Sequence, residues 1–131
     1  MSEYKPIDPE IEQIAKVVVD AVFTVHKTLG PGLLETIYEA CLLYELQKRK
    51  VSIESQVAVP ITYDKLKLDS GLRLDLIVEK AIVLELKAVE KLLPIHEAQL
   101  LTYLKLTNLR LGFLINFNVE AIRLGIKRII R

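Results

Sequence analysis

Asp75, Glu85 and Lys87 are charged side chains in a stretch that otherwise reads as buried β-structure. Residues 72–78 and 82–89 are rich in Leu, Ile and Val and flank Glu79-Lys80-Ala81, the spacing of a hairpin. A three-residue connection at 79–81 pairs position 78 with 82. That sets Asp75 across from Glu85, with Lys87 two positions further on the same face. Strict alternation puts Leu72, Leu74, Leu76 and Val78 on one face of the first strand, and Arg73, Asp75 and Ile77 on the other. Opposed carboxylates repel, and half-buried ones also lose hydration. A divalent cation relieves both, because Mg2+ or Mn2+ takes hard oxygen ligands that converge on one point. Lys87 can neutralise residual charge and point its ammonium at an anionic substrate or an attacking water. The alternative for the same residues is an ordinary solvated hairpin face.

Two further groups have the right chemistry to join them. His96, Gln99 and Tyr103 recur at three- and four-residue steps beside the apolar Ala98, Leu101 and Leu104, which forms a polar stripe on a helix following the Glu85 strand. An amide and a phenol there can hydrogen-bond phosphate oxygens or water, or can simply face solvent. Glu35, Tyr38 and Glu39 follow Gly30-Pro31-Gly32. Glu35 in the first turn of a helix is explained by the helix dipole, and equally offers a third carboxylate; the residues alone favour the dipole.

These side chains need elements to position them. Ile11, Ile14, Ala15, Val18, Val22, Val25 and Leu29 make one apolar stripe, which predicts a helix over 8–29 with Asp8 as N-cap and Pro9 first in the helix. Gly30-Pro31-Gly32 ends it, and a second helix runs over 33–50 to the basic Lys48-Arg49-Lys50. Residues 51–62 alternate as a strand edged at Pro60, and 63–70 reads as a turn or short strand. After the hairpin, Leu93-Pro94 opens a third helix over 95–107, followed by strands over 110–117 and 122–130. The order is α-α-β-β-β-β-α-β-β, a single α/β domain over 1–131 with a mixed sheet.

Composition narrows the classes. Of the 131 residues 51% are apolar and 27% charged, enough for a globular core and incompatible with a disordered or disulfide-built chain. Cys41 is the one cysteine, in a helix-interior setting, so neither an intrachain disulfide nor a cysteine-clustered zinc site is possible. His26 stands alone on the first helix and reads as packed. The net charge of +1 gives no hint of a polyanionic partner, but residues 105–131 hold Lys105, Arg110, Arg123, Lys127, Arg128 and Arg131 against Glu120 alone. Such an end can grip nucleic acid or guard an edge strand. No apolar run approaches a membrane span and Met1-Ser-Glu-Tyr-Lys5 holds no signal-peptide core, so the expected compartment is the cytoplasm.

Taken together, these residues resemble the PD-(D/E)xK nuclease-like superfamily, and within it the small branch known as the GxxExxY proteins. The branch motif stands here as Gly32-Leu-Leu-Glu35-Thr-Ile-Tyr38, extended by Glu39. The superfamily core stands as Asp75, Glu85-Leu86-Lys87 and Gln99-x-x-x-Tyr103, with Leu74 where the nominal dipeptide has proline. The resemblance covers residues 10–130. It implies a restriction-endonuclease-like fold, a mixed β-sheet flanked by helices with the site at one sheet edge. It also implies Mg2+- or Mn2+-dependent hydrolysis of phosphodiester bonds in DNA. By that resemblance Asp75, Glu85 and the main-chain carbonyl of Leu86 ligate the metal. Lys87 orients the attacking water and stabilises the phosphorane, and Glu35 is the acid from an early helix. Gln99, Tyr103 and Tyr38 lie on the substrate side. A homodimer is expected, and the competing reading is a non-catalytic module that binds nucleic acid or protein on the same fold.

Overall fold

Asp8 starts the first helix as its sequence suggests: its carboxylate accepts the backbone N–H of Glu10 at 2.8 Å, and Pro9 follows in the first turn. The structure, a computed structural model, describes residues 5–131; Met1–Tyr4, part of the segment expected to hold no signal core, lie outside them. In chain order the elements are α1 (Pro9–Leu29), α2 (Glu35–Lys48), β1 (Ile53–Tyr63), β2 (Leu66–Val78), β3 (Ile82–Lys87), α3 (Pro94–Thr107), β4 (Leu111–Asn116), a 3-10 turn (Ile122–Leu124) and β5 (Ile126–Ile130). The five strands form one sheet in the order β1-β2-β3-β4-β5. Only β3 and β4 are parallel, joined through α3. Where the sequence suggests a turn or short strand over 63–70 before a separate strand, the chain runs on as the single strand β2. Pairing with β1 at Ile61–Leu68 and Thr62–Lys67 holds it extended, across a register shift between Val59 and Ile61.

Helices cover both faces. The stripe of α1 (Ala15, Val18, Val22, Val25) and the inner side of α2 (Tyr38, Leu42, Leu46) pack on Leu76, Val78, Ile82, Leu84, Leu86, Phe113 and Ile115. Leu100 and Leu104 of α3 pack on the opposite face, against Leu74, Ile77, Val83 and Leu114. Strands β3 and β4 are therefore buried on both sides, which is why they read as nearly unbroken apolar runs. His26 is packed as expected: its Nε2–H donates to the Val119 carbonyl at 2.7 Å and ties the end of α1 to the chain beyond β4. Among the described residues no helix is long and apolar enough to cross a membrane.

The expected alternation along β2 fails at one point. Leu72 and Leu74 pack on the α3 side, but Leu76 and Val78 pack on the α1–α2 side. On the neighbouring strand Val57 and Val59 go with the former and Ile53 with the latter. Pairing brackets the change: Ser55 meets Leu76 and Val57 meets Leu74, leaving Gln56 opposite Asp75, and Gln56 has φ +50°. A positive φ is costly for a residue with a Cβ, and here it turns both strands over together at Gln56 and Asp75.

Several cations of the basic C-terminal end are tied up in surface contacts while remaining exposed. Arg128 forks onto Glu12 at 2.7 and 2.8 Å, and Lys127 reaches Glu97 at 3.3 Å. Arg110 donates to the carbonyls of Lys5, Pro6 and Arg131, and Arg131 to Leu109 and Asn108. Four of the six cations thus bond to α1, α3 or the chain on either side of β4 and β5.

The hairpin between β2 and β3 has the expected register, Val78 paired with Ile82. Its turn closes by Ala81 N–H to Val78 carbonyl at 3.0 Å, with φ +51° at Glu79 and +53° at Lys80. Turns with two positive φ values favour glycine at the second position, and a side chain there costs about 1 kcal/mol. Glu79 is needed, since it binds Ser52 through its backbone and side chain. Lys80→Gly is expected to stabilise the fold by about 0.5–1 kcal/mol. A higher urea midpoint at unchanged slope checks this; a lower midpoint would contradict the turn geometry.

Candidate active site

Beyond Leu76–Leu84 the ladder between β2 and β3 stops, and the next residues on each strand are Asp75 and Glu85. Each side chain accepts a backbone N–H from the opposite strand. Asp75 N–H donates to Glu85 Oε1 at 3.3 Å, and Leu86 N–H donates to Asp75 Oδ2 at 2.9 Å. Glu85 is only 7% exposed, and its carboxyl is pushed up to about 8, first by burial and then by the Asp75 charge. Asp75 is raised for the same first reason, against the opposing pull of the Leu86 N–H and Lys87. Lys87, half-buried at the end of β3, lies close enough to act on both.

From the α2 side Glu35 and Glu39 join this field. Glu35 is held above the ordinary carboxylate range by partial burial and then by Asp75, with Lys87 opposing. Glu39 is raised by partial burial, and both its oxygens accept the Gln56 amide at 2.9 and 3.0 Å. From α3, the Tyr103 phenol is raised by burial and then by Glu85 and Asp75, with the Gln99 amide opposing. The structure thus brings Asp75, Glu85, Lys87, Glu35, Gln99 and Tyr103 to one place from four elements. His96, of the same stripe, does something else: its Nδ1 accepts the Leu93 N–H at 3.0 Å and caps α3.

Tyr38 is corrected from the substrate side to the interior. It is fully buried, its hydroxyl donates to the Gly30 carbonyl at 2.6 Å and accepts the Leu33 N–H at 3.1 Å, and its ring stacks on Phe117. Leu86 likewise buries its side chain against the α1–α2 layer, leaving only its main chain at the site. Two site residues are not evident from the sequence. Gln56 bridges toward the acids from β1, and its one signal is an amide in a Val-rich alternating strand. Asn116 is 2% exposed; its side chain holds Val89 N–H at 3.0 Å and Val89 carbonyl at 2.9 Å, fixing the exit of β3. As the sole polar residue in the apolar run 111–117 it is visible in principle.

The profile of the PD-(D/E)XK nuclease superfamily matches residues 12–129. The chain belongs to the PD-(D/E)XK nuclease superfamily. No curated protein and no solved structure matches it. Five strands in a mixed sheet between helices, with acids where two strands part, are consistent with the restriction-endonuclease-like α/β fold of that superfamily.

Among the described residues no group of three His, Cys, Asp or Glu side chains is arranged as a ready cage for a metal ion. The donor chemistry nevertheless fits a hard divalent cation. Asp75 and Glu85 are oxygen donors of like charge in a poorly hydrated place, each anchored through one oxygen by the opposite strand's backbone.

The raised carboxyls fix the sign of a pH effect. Unfolded, Glu85 loses its proton near 4.5; folded, it keeps it until about 8. Between those values the folded state holds the extra proton, so stability falls as pH rises, by about 1.4 kcal/mol per unit from this one group. Glu35, Glu39 and Asp75 are raised too and add the same sign. Metal-free protein is therefore expected to have a lower urea midpoint at pH 8 than at pH 5. Glu85→Gln should flatten that slope and be the more stable protein at pH 8; an unchanged slope would contradict the burial of this carboxyl.

Proposed function

We propose that the chain is a divalent-metal-dependent nuclease that hydrolyses phosphodiester bonds in DNA, of the GxxExxY branch of its superfamily. The observation that carries this reading is the buried, backbone-anchored Asp75–Glu85 pair with Lys87 beside it, in a chain of a nuclease superfamily. A structural ion pair would place opposite charges together, whereas here the Asp75 charge adds to burial in raising the Glu85 carboxyl. Asp75, Glu85 and the carbonyl of Leu86 are the residues that would hold Mg2+ or Mn2+. When bound, the ion supplies charge neutralisation at the phosphate and eases ionisation of water.

The chain's own groups do the rest. Lys87 orients the attacking water and offsets charge building on the non-bridging oxygens. Gln99 and Tyr103 donate from α3 to phosphate oxygens and fix the ester. Glu35, with its raised carboxyl, is the α2-side group that can take the proton from water. Water oxygen bonds to phosphorus as its proton passes to Glu35, the ester P–O bond breaks, and the departing oxygen takes a proton from solvent to leave as an alcohol. One such site cuts one strand, so cleavage of a duplex calls for two copies, as a homodimer.

The test is cleavage of single-stranded, duplex and branched DNA with Mg2+ or Mn2+. Asp75→Ala and Glu85→Ala are each expected to reduce the rate by at least about 100-fold. Calorimetry reads the site without turnover. Because the ion must displace the Glu85 proton, Mn2+ affinity should rise about tenfold per pH unit between 6 and 8 and lose that dependence in Glu85→Gln. Stoichiometric DNA binding with neither cleavage nor Mn2+ uptake would instead establish the non-catalytic module.

A further inference from the structure

Glu35 and Lys87 reach the site from α2 and β3, which lie far apart in sequence, yet one chain of contacts links them. Gly30 and Gly32, at φ +71° and +99°, turn the chain from α1 into α2. The N-cap position of α2 is Leu34, with no side-chain cap bond, so that entry lacks the usual fastening. The Tyr38 hydroxyl supplies it, closing on Gly30 carbonyl and Leu33 N–H across the turn that delivers Glu35. The Tyr38 ring lies flat against Phe117, centroids 4.5 Å apart and planes within 7°. Phe117 in turn donates its backbone N–H to the Lys87 carbonyl at 2.9 Å.

We propose that Tyr38 and Phe117 form a strut that sets the gap between Glu35 and Lys87, with Tyr38 a positioning residue that acts through Glu35. The inference rests on the nuclease reading of that site. It also gives each residue of Gly-x-x-Glu-x-x-Tyr a physical role. Gly32 makes the turn, Tyr38 latches it, and Glu35 is what the latch holds in place. Phenylalanine at position 38 would keep the stack but leave a buried carbonyl and N–H without their partner.

Tyr38→Phe tests the strut. In metal-free protein the 13Cε signal of Lys87 should shift on Glu35→Gln in the wild-type background, and that shift should vanish in Tyr38→Phe. Mn2+ affinity should fall about tenfold in Tyr38→Phe, with no further fall when Tyr38→Phe is added to Glu35→Gln. An equal loss in both backgrounds means a merely structural tyrosine and overturns the proposal, as does a Lys87 response that survives the substitution. Should Tyr38→Phe fail to fold, Phe117→Leu removes the stack and must abolish the same Lys87 response. Wild-type protein that takes up no Mn2+ refutes the nuclease reading and not the strut, which the metal-free Lys87 signal decides alone.

Discussion

Two acidic side chains, Asp75 and Glu85, are held face to face inside a sheet, and Glu85 keeps almost no contact with water. An intact β-ladder cannot accommodate this, because its backbone donors are already paired with carbonyls. The strands therefore part after Leu76–Leu84, and the N–H groups of Asp75 and Leu86 are given to the opposite side chains. Much of the remaining architecture follows from that exchange. Next to the parting, β1 adopts a positive φ at Gln56, and β1 and β2 turn over together, so Leu74 and Leu76 fill different layers of the core. On the other side, β3 must end at Lys87, and the Asn116 side chain takes over the backbone groups of Val89 that a longer strand would have paired.

The same constraint explains which parts of the molecule were legible in its sequence. Asp75 and Glu85 could be placed together because a short connection and a period of two leave no freedom in counting from Val78 and Ile82. The helices were legible because Val18, Val22 and Val25 repeat at the period of a helix, and Asp8-Pro9 and Gly30-Pro31-Gly32 punctuate its ends. The face exchange was not legible, because it is set on a different strand, at a glutamine whose own neighbours alternate normally. The continuity of β2 through Gly71 was hidden for a related reason. Locally the residues read as a turn, and it is pairing with Ile61 and Thr62 that overrides them. Tyr38 misled because a motif tyrosine beside an acid suggests substrate contact. Its burial is decided by Phe117, distant in sequence and inconspicuous in its own apolar run.

Charge offers the last step. A net charge of +1, with Lys127 and Arg128 paired to acids at the surface, leaves little general attraction for a polyanion. On the proposed function, recognition of a phosphate would have to be built locally, and the raised Glu85 carboxyl would be the means. Protonated at neutral pH, it spares the metal-free fold a second buried negative charge beside Asp75. On the proposed function, a divalent cation held by Asp75 and Glu85 would displace that proton and let both carboxylates ionise, with Lys87 adding a further positive charge beside them. The ion would then bring positive charge to this one place on a chain that is otherwise nearly neutral. The burial that makes the acid pair costly in the metal-free fold is also what keeps water from screening that local charge.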